Sequence, residues 1–220
     1  MSERRESTHV DIVVFDLDGT LVDSRDDIAS SINAGLTAVG SRRRPFPDIY
    51  PLIGLPLVDM YVDLLPRELT HRADEAAEAY RTDYTSQCSR RSAVFPGVLE
   101  CLDSLRGSLL AIATSKRTYQ AVRVAEELGL AGRFKVVNGT DGIPPKPNPA
   151  VVLQVIERTG ASAERSWMVG DTTYDIRAGR SAGLRTCAVT YGAHSADALA
   201  AEHPDAIVDS LADLPARISA

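Results

Sequence analysis

The run Val10-Asp11-Ile12-Val13-Val14-Phe15 is short, β-branched and mostly apolar, the pattern of a strand buried on both faces of a parallel sheet. It leads directly into Asp16-Leu17-Asp18-Gly19-Thr20-Leu21-Val22-Asp23-Ser24. Two carboxylates therefore stand where a buried strand ends and a glycine turns the chain. In open α/β sheets the carboxyl ends of strands are where ligands bind. Like charges confined together repel unless something compensates them, and a hard divalent cation such as Mg²⁺ takes carboxylate oxygens. An isolated Asp-x-Asp also reads as a turn that caps the next helix, so the pair alone leaves both readings open.

Between residues 22 and 92 the sequence reads as helical, with no strand pattern. Ile28, Ile32, Leu36 and Val39 recur at helical spacing before Gly40, a stop signal. Ser41 to Pro47 is a basic, proline-broken loop, and Leu52-Ile53-Gly54-Leu55-Pro56-Leu57 is a second break. A further helical stretch spans about 70–89. From Val94 onward strands and helices alternate. Strands are expected at 109–114, 134–137, 166–170, 185–190 and 206–208, and helices at 97–106, 117–129, 148–159 and 174–182, with a last one at the C-terminus. This alternation predicts an α/β fold with a doubly wound parallel sheet. Residues 1–21 and 93–220 form its Rossmann-like core, and residues 22–92 form an inserted helical domain.

At 220 residues the chain is long enough to bury a sizeable core. A net charge of −6 argues against nucleic acid as a partner. No stretch is long and apolar enough to span a membrane, and Met1 to His9 lacks the apolar core of a signal peptide. Cys88, Cys101 and Cys187 are far apart and read as free thiols in a reducing compartment; a cytoplasmic location is expected. The sequence carries no statement about oligomeric state.

The polar ends of the core strands should converge on one sheet edge. Asp16 and Asp18 end the first strand, Thr114-Ser115-Lys116 the second, and Gly170-Asp171-Thr172-Thr173-Tyr174-Asp175 a later one. Pro144-Pro145-Lys146-Pro147-Asn148-Pro149 holds a lysine between prolines. Carboxylates for a metal, a hydroxyl with backbone donors at a helix start, and one fixed lysine make a phosphate site.

With these four motifs in order, the chain resembles the haloacid-dehalogenase superfamily of aspartyl-phosphate phosphohydrolases. It is most similar to the phosphoglycolate-phosphatase-like subgroup. That likeness rests on Leu-Val-Asp-Ser at 21–24, a helical cap at 22–92, Gly-Leu-Pro-Leu at 54–57 and Phe-Pro-Gly at 95–97. The resemblance implies a Mg²⁺-dependent phosphatase. Asp16 would be the nucleophile and Asp18 the general acid and base. Thr114 and Ser115 would bind phosphate, and Lys146 would offset charge. Mg²⁺ would be held by Asp16, the Asp18 backbone carbonyl and Asp171, with Asp175 behind them. It also implies that Gly54, Leu55, Pro56 and Leu57 lie over the site and influence substrate choice. The expected substrate is a small phosphorylated metabolite, with 2-phosphoglycolate first and pyrophosphate, a nucleotide or a sugar phosphate as alternatives. The stretch Ile28 to Asn33 lacks the histidine usual in phosphomutase relatives, and intact acids and lysine argue against a non-catalytic phosphate sensor. Ser115 departs from the asparagine common in close relatives.

Other residues have plainer readings. Asp23 or Ser24 is expected to cap the helix near Arg25. Arg42, Arg43 and Arg44 read as a solvated loop, with a minor reading in which one meets an anionic substrate. The face of Arg72, Glu75, Glu78 and Arg81 reads as solvent. His9, His71, His194 and His203 show no ligand spacing, and Trp167 and Met168 read as core.

Overall fold

The computed structural model describes residues 10–218; the expectations for Met1 to His9 lie outside them. Six parallel strands form the central sheet in the order β5-β4-β1-β6-β7-β8. They are β1 (Ile12–Phe15), β4 (Leu109–Ala113), β5 (Val136–Asn138), β6 (Ser166–Gly170), β7 (Arg185–Val189) and β8 (Ala206–Val208). β1 lies in the middle, its Phe15 in register with Ile112 on one side and Val169 on the other. The chain builds outward from β1 through β4 and β5, then returns to β1's other edge for β6, β7 and β8, which opens a crevice at the strand ends around β1.

Period-two alternation sorts the side chains. Val13, Phe15, Ile112, Trp167 and Val169 face α5 (Val98–Ser104), α6 (Thr118–Glu127) and the C-terminal α10 (Leu214–Ile218). Ile12, Val14, Ala111, Ala113 and Met168 face α7 (Ala150–Thr159) and α8 (Thr173–Ser181). Helices thus cover both faces, and that is why β1 and β6 are buried along their whole length. Trp167 and Met168 are core, as expected.

The helical stretch holds α1 (Arg25–Ala38), α2 (Phe46–Ile49), α3 (Leu57–Leu64) and α4 (Ala73–Gln87). α1 packs along α4, and Tyr61 of α3 donates its hydroxyl to the Ile32 carbonyl at 3.1 Å. One expectation is corrected here. Val22–Asp23 (β2) pairs antiparallel with Ala93–Val94 (β3), so the stretch expected to hold no strand begins with one. Two residues carry no periodicity by which a strand is read. The short α9 (Ala196–Ala200) was also not expected. The helix expected over 70–89 starts at Ala73, after a 3₁₀ turn over Arg67–Arg72, and the strand expected over 134–137 runs from Val136 to Asn138. No helix among the described residues is long and apolar enough to cross a membrane. All three cysteines are free and buried.

Candidate active site

β4, β1 and β6 are neighbours, so their ends bring Thr114, Asp16 and Asp171 side by side. Asp16, Asp171 and Asp175 each offer a carboxylate oxygen, and these oxygens lie within 4.8 Å of one another. All three residues are buried. The backbone comes unusually close to Asp171: a Cβ on Gly19 (φ +85°) or on Gly192 would lie 2.2 Å from it. Only residues without a side chain allow these two loops to enclose that carboxylate. Thr20 Oγ1 donates to Asp171 Oδ1 at 2.8 Å, and the Ala193 N–H donates to Oδ2 at 2.7 Å.

Asp175 sits in the first turn of α8 and does two things. Its Oδ2 accepts from the Thr172 N–H and hydroxyl, completing a capping box with Thr172 as the N-cap. Its Oδ1 accepts from Lys146 Nζ at 2.5 Å. With both oxygens engaged, Asp175 is suited to orienting its neighbours.

Lys146 is buried. Its Nζ also donates to the Ala113 carbonyl at 3.1 Å and lies 2.8 Å from Asp16 Oδ1. That last contact is an ion pair without hydrogen-bond geometry, so Asp16 Oδ1 is buried with no hydrogen-bond partner. Burial opposes the Lys146 ammonium, but Asp16 and Asp175 beside it hold its pKa above the ordinary value.

One lysine does not balance three carboxylates. Burial, with Lys146 opposing and Asp175 and Asp171 adding, pushes the Asp16 carboxyl up to about 8. Burial and the Asp175 charge push Asp171 up to about 7. An oxygen-only donor set with surplus negative charge fits a hard divalent cation, and this cluster can hold one.

The Asp18 side chain points elsewhere. Ser24 Oγ donates to its Oδ1 at 2.5 Å, and Lys116 Nζ donates to the same oxygen at 3.0 Å. Lys116 Nζ also donates to Tyr84 Oη at 2.6 Å and lies 3.9 Å from the centre of that ring. The expected capping role is thereby corrected. Ser24 occupies the N-cap position of α1 without a side-chain cap bond, because its hydroxyl is committed to Asp18. Asp23 instead pairs with Arg25 at 2.6 Å.

Thr114 is buried, and its Oγ1 accepts from the Lys116 N–H at 3.2 Å. Thr114, Ser115, Asp16, Asp18, Lys146 and Asp171 all line one cavity of about 650 Å³. Gly54, Leu55, Pro56 and Leu57 line it from the opposite side. Arg81, expected to face solvent, also lines it, while pairing with Glu78. Arg44 is occupied with the Leu64 carbonyl at 2.9 Å, and the 42–44 loop does not line the cavity. His194 accepts from the Thr173 N–H through Nδ1 at 3.1 Å, a structural contact at the start of α8.

Sequence reasoning assigned no role to Thr20, Lys116, Tyr84 or the 192–193 loop. Thr20 and Lys116 stand inside the motifs. Tyr84 and the loop reach the site only through tertiary packing.

An α/β sheet whose central strand ends carry this carboxylate and lysine constellation defines a class of hydrolase, and comparison with known proteins agrees. Residues 13–189 match the sequence profile of the haloacid dehalogenase-like hydrolases. "Probable phosphatase IndB" of Dickeya dadantii is 38% identical over 92% of this chain and 91% of its own length. A phosphoglycolate phosphatase of Agrobacterium fabrum is 34% identical over 92% of this chain and 90% of its own. A haloacid dehalogenase-like family hydrolase from Streptococcus pneumoniae superposes with a TM-score of 0.86 at 26% identity, covering 94% of this chain and 97% of its own. The chain belongs to the haloacid dehalogenase-like hydrolase family and is a phosphatase of that family.

Proposed function

We propose that the protein hydrolyses a small phosphate monoester through an aspartyl-phosphate on Asp16. The observation that carries this is the buried trio Asp16, Asp171 and Asp175, with Lys146 between two of its members and a cavity above Asp16 and Asp171. A Mg²⁺ ion would be held by Asp16, Asp171 and the Asp18 carbonyl, and when bound it supplies charge stabilisation to the phosphoryl oxygens.

A carboxylate oxygen of Asp16 attacks phosphorus, and the bond from phosphorus to the ester oxygen breaks. Asp18 gives the departing alkoxide a proton. It then takes a proton from water as that water attacks the phosphoaspartate, releasing phosphate and restoring Asp16. Ser24 and Lys116 position Asp18 for both transfers. Thr114 and the Ser115 N–H bind the phosphoryl group, and Lys146 offsets charge as it moves between Asp16 and phosphorus. Asp175 holds Lys146 in place.

Residues 22–92 serve as a cap over this chemistry, their two ends joined by the β2–β3 ribbon, and the 54–57 turn contributes to substrate choice. A cytoplasmic location suits three free thiols. The names of its relatives put 2-phosphoglycolate first in a substrate panel. The test is phosphate release from that panel with Mg²⁺, run beside Asp16→Asn. Acid-quenched wild type should yield a phosphorylated peptide containing Asp16. Turnover that survives in Asp16→Asn refutes the mechanism.

A further inference from the structure

The cavity above Asp16 holds about 650 Å³, and its two walls already touch at both ends. At one end Gly54 (φ +106°) lies so near the start of α8 that a Cβ would sit 2.9 Å from the Thr172 methyl. At the other, Lys116 bonds to Tyr84 of α4 and Gln120 Nε2 donates to Thr85 Oγ1 at 3.3 Å. The volume is therefore that of the helical insertion seated on the sheet. The cavity is a cleft partly open to solvent, and clefts of roughly 300–1,000 Å³ take drug-sized ligands. The two-carbon body of glycolate would leave most of this one unfilled.

The chemistry of the walls points the same way. Ile28, Ile53, Leu55, Leu57, Met60 and Tyr80 present an apolar surface. A substrate carboxylate buried among them would need a cation of its own. Yet among the described residues both lysines lining the cavity already face acids: Lys146 has Asp16 and Asp175, and Lys116 has Asp18. Arg81 and Arg117 share the single carboxylate of the exposed Glu78, so the cationic charge left over stands on the solvent-exposed side of the cavity and not among the apolar residues.

We propose that the natural substrate is a phosphate monoester whose alcohol carries a ring-sized, largely apolar body. The phosphate sits at the strand ends, and the body lies against Leu55, Leu57 and Tyr80. This rests on the phosphatase reading above and narrows its substrate.

Ethyl phosphate, 2-phosphoglycolate and 2-phenylethyl phosphate test it, since all three are esters of primary alcohols. Each is assayed for phosphate release with Mg²⁺, beside an aryl phosphate as a general ester probe. The expected kcat/KM for 2-phenylethyl phosphate exceeds that for ethyl phosphate by about tenfold to a hundredfold, the range for taking a phenyl group out of water. It also exceeds that for 2-phosphoglycolate. In Leu57→Glu, and independently in Leu55→Glu, the ratio of 2-phenylethyl to ethyl phosphate should fall toward one. A wild-type ratio near one, a ratio that neither variant changes, or 2-phosphoglycolate as the fastest ester overturns the substrate assignment and leaves the phosphatase reading standing. No phosphate release from any ester overturns the phosphatase reading itself, and this inference with it.

Discussion

Replacing the proposed nucleophile should make the metal-free protein more stable. The Asp16 carboxyl is pushed up to about 8 from its ordinary value of 3.8, by burial first and then by Asp175 and Asp171. At pH 7 without metal, the folded chain keeps this proton while the unfolded chain releases it. Holding a proton at pH 7 against an unfolded value of 3.8 costs about 4 kcal/mol, at about 1.36 kcal/mol per pH unit. Asparagine has nearly the shape of the protonated acid and carries no such cost. Allowing for imperfect fit of the amide beside Lys146, Asp16→Asn should gain about 2–4 kcal/mol. For a chain of this size that is a rise in Tm of about 5–15 °C.

The sign follows from linkage. A carboxyl whose folded pKa is raised contributes its stability below the unfolded value and loses it as pH climbs through the folded one. Wild type should therefore fall behind the variant progressively from about pH 4 to pH 8. At pH 4 the gap should shrink below about 1 kcal/mol. Differential scanning calorimetry in EDTA at both pH values reads it directly. Saturating Mg²⁺ should then close the gap by stabilising wild type. Equal Tm values at pH 7, or a gain as large at pH 4 as at pH 7, would refute the crowded-carboxylate account of this site.

Because burial and neighbouring acids push Asp16 and Asp171 up to about 8 and about 7, Mg²⁺ must compete with protons there. It should raise the wild-type Tm more at pH 8 than at pH 6, and a pH-independent shift would count against these ligands. Asp171→Asn should abolish most of that Mg²⁺-induced shift; a wild-type response would move the metal elsewhere. Lys146→Met leaves the buried Asp175 carboxylate without its cation and should destabilise by about 3–5 kcal/mol in urea titrations; a loss under 1 kcal/mol would show that the lysine is structurally dispensable. Thr172→Ala removes the α8 N-cap and should cost about 1 kcal/mol, most of it recovered in Thr172→Ser, as read by chemical denaturation.

Much of the fold could be read from local pattern. β1 and β6 are apolar runs ending in acids, and their helices follow a 3.6-residue period, so the order of the elements and the strand ends that converge were legible. Asp16, Thr114 and Asp171 come together because β1, β4 and β6 are neighbours, a consequence of the doubly wound topology, and Lys146 joins them from the loop before α7. What escaped has a physical cause in each case. The β2–β3 ribbon is too short to show a period. Ser24 has the right residue type and position for a cap, but the Asp18 carboxylate competes for its hydroxyl, and that competition exists only once the turn has folded. Tyr84 reads as one more apolar position of α4 until its hydroxyl is found on Lys116. Arg81 reads as solvent-facing because helix periodicity does not reveal that a sheet edge lies opposite it.

The placement of β1 also governs the order in which a growing chain can assemble. Its partners are far away in sequence: Ile12 pairs with Leu109 on one side and with Ser166 on the other. Contacts that close such long loops form late and slowly. The packed pair α1 and α4 lies entirely between β1 and β4 in the chain, so its contacts can form while β1 still has no partner. The oxygens of Asp16 and Asp171 meet only after most of the polypeptide has been made. A truncated or stalled product would thus hold a folded helical insertion beside an acid whose carboxylate neighbours have yet to be made.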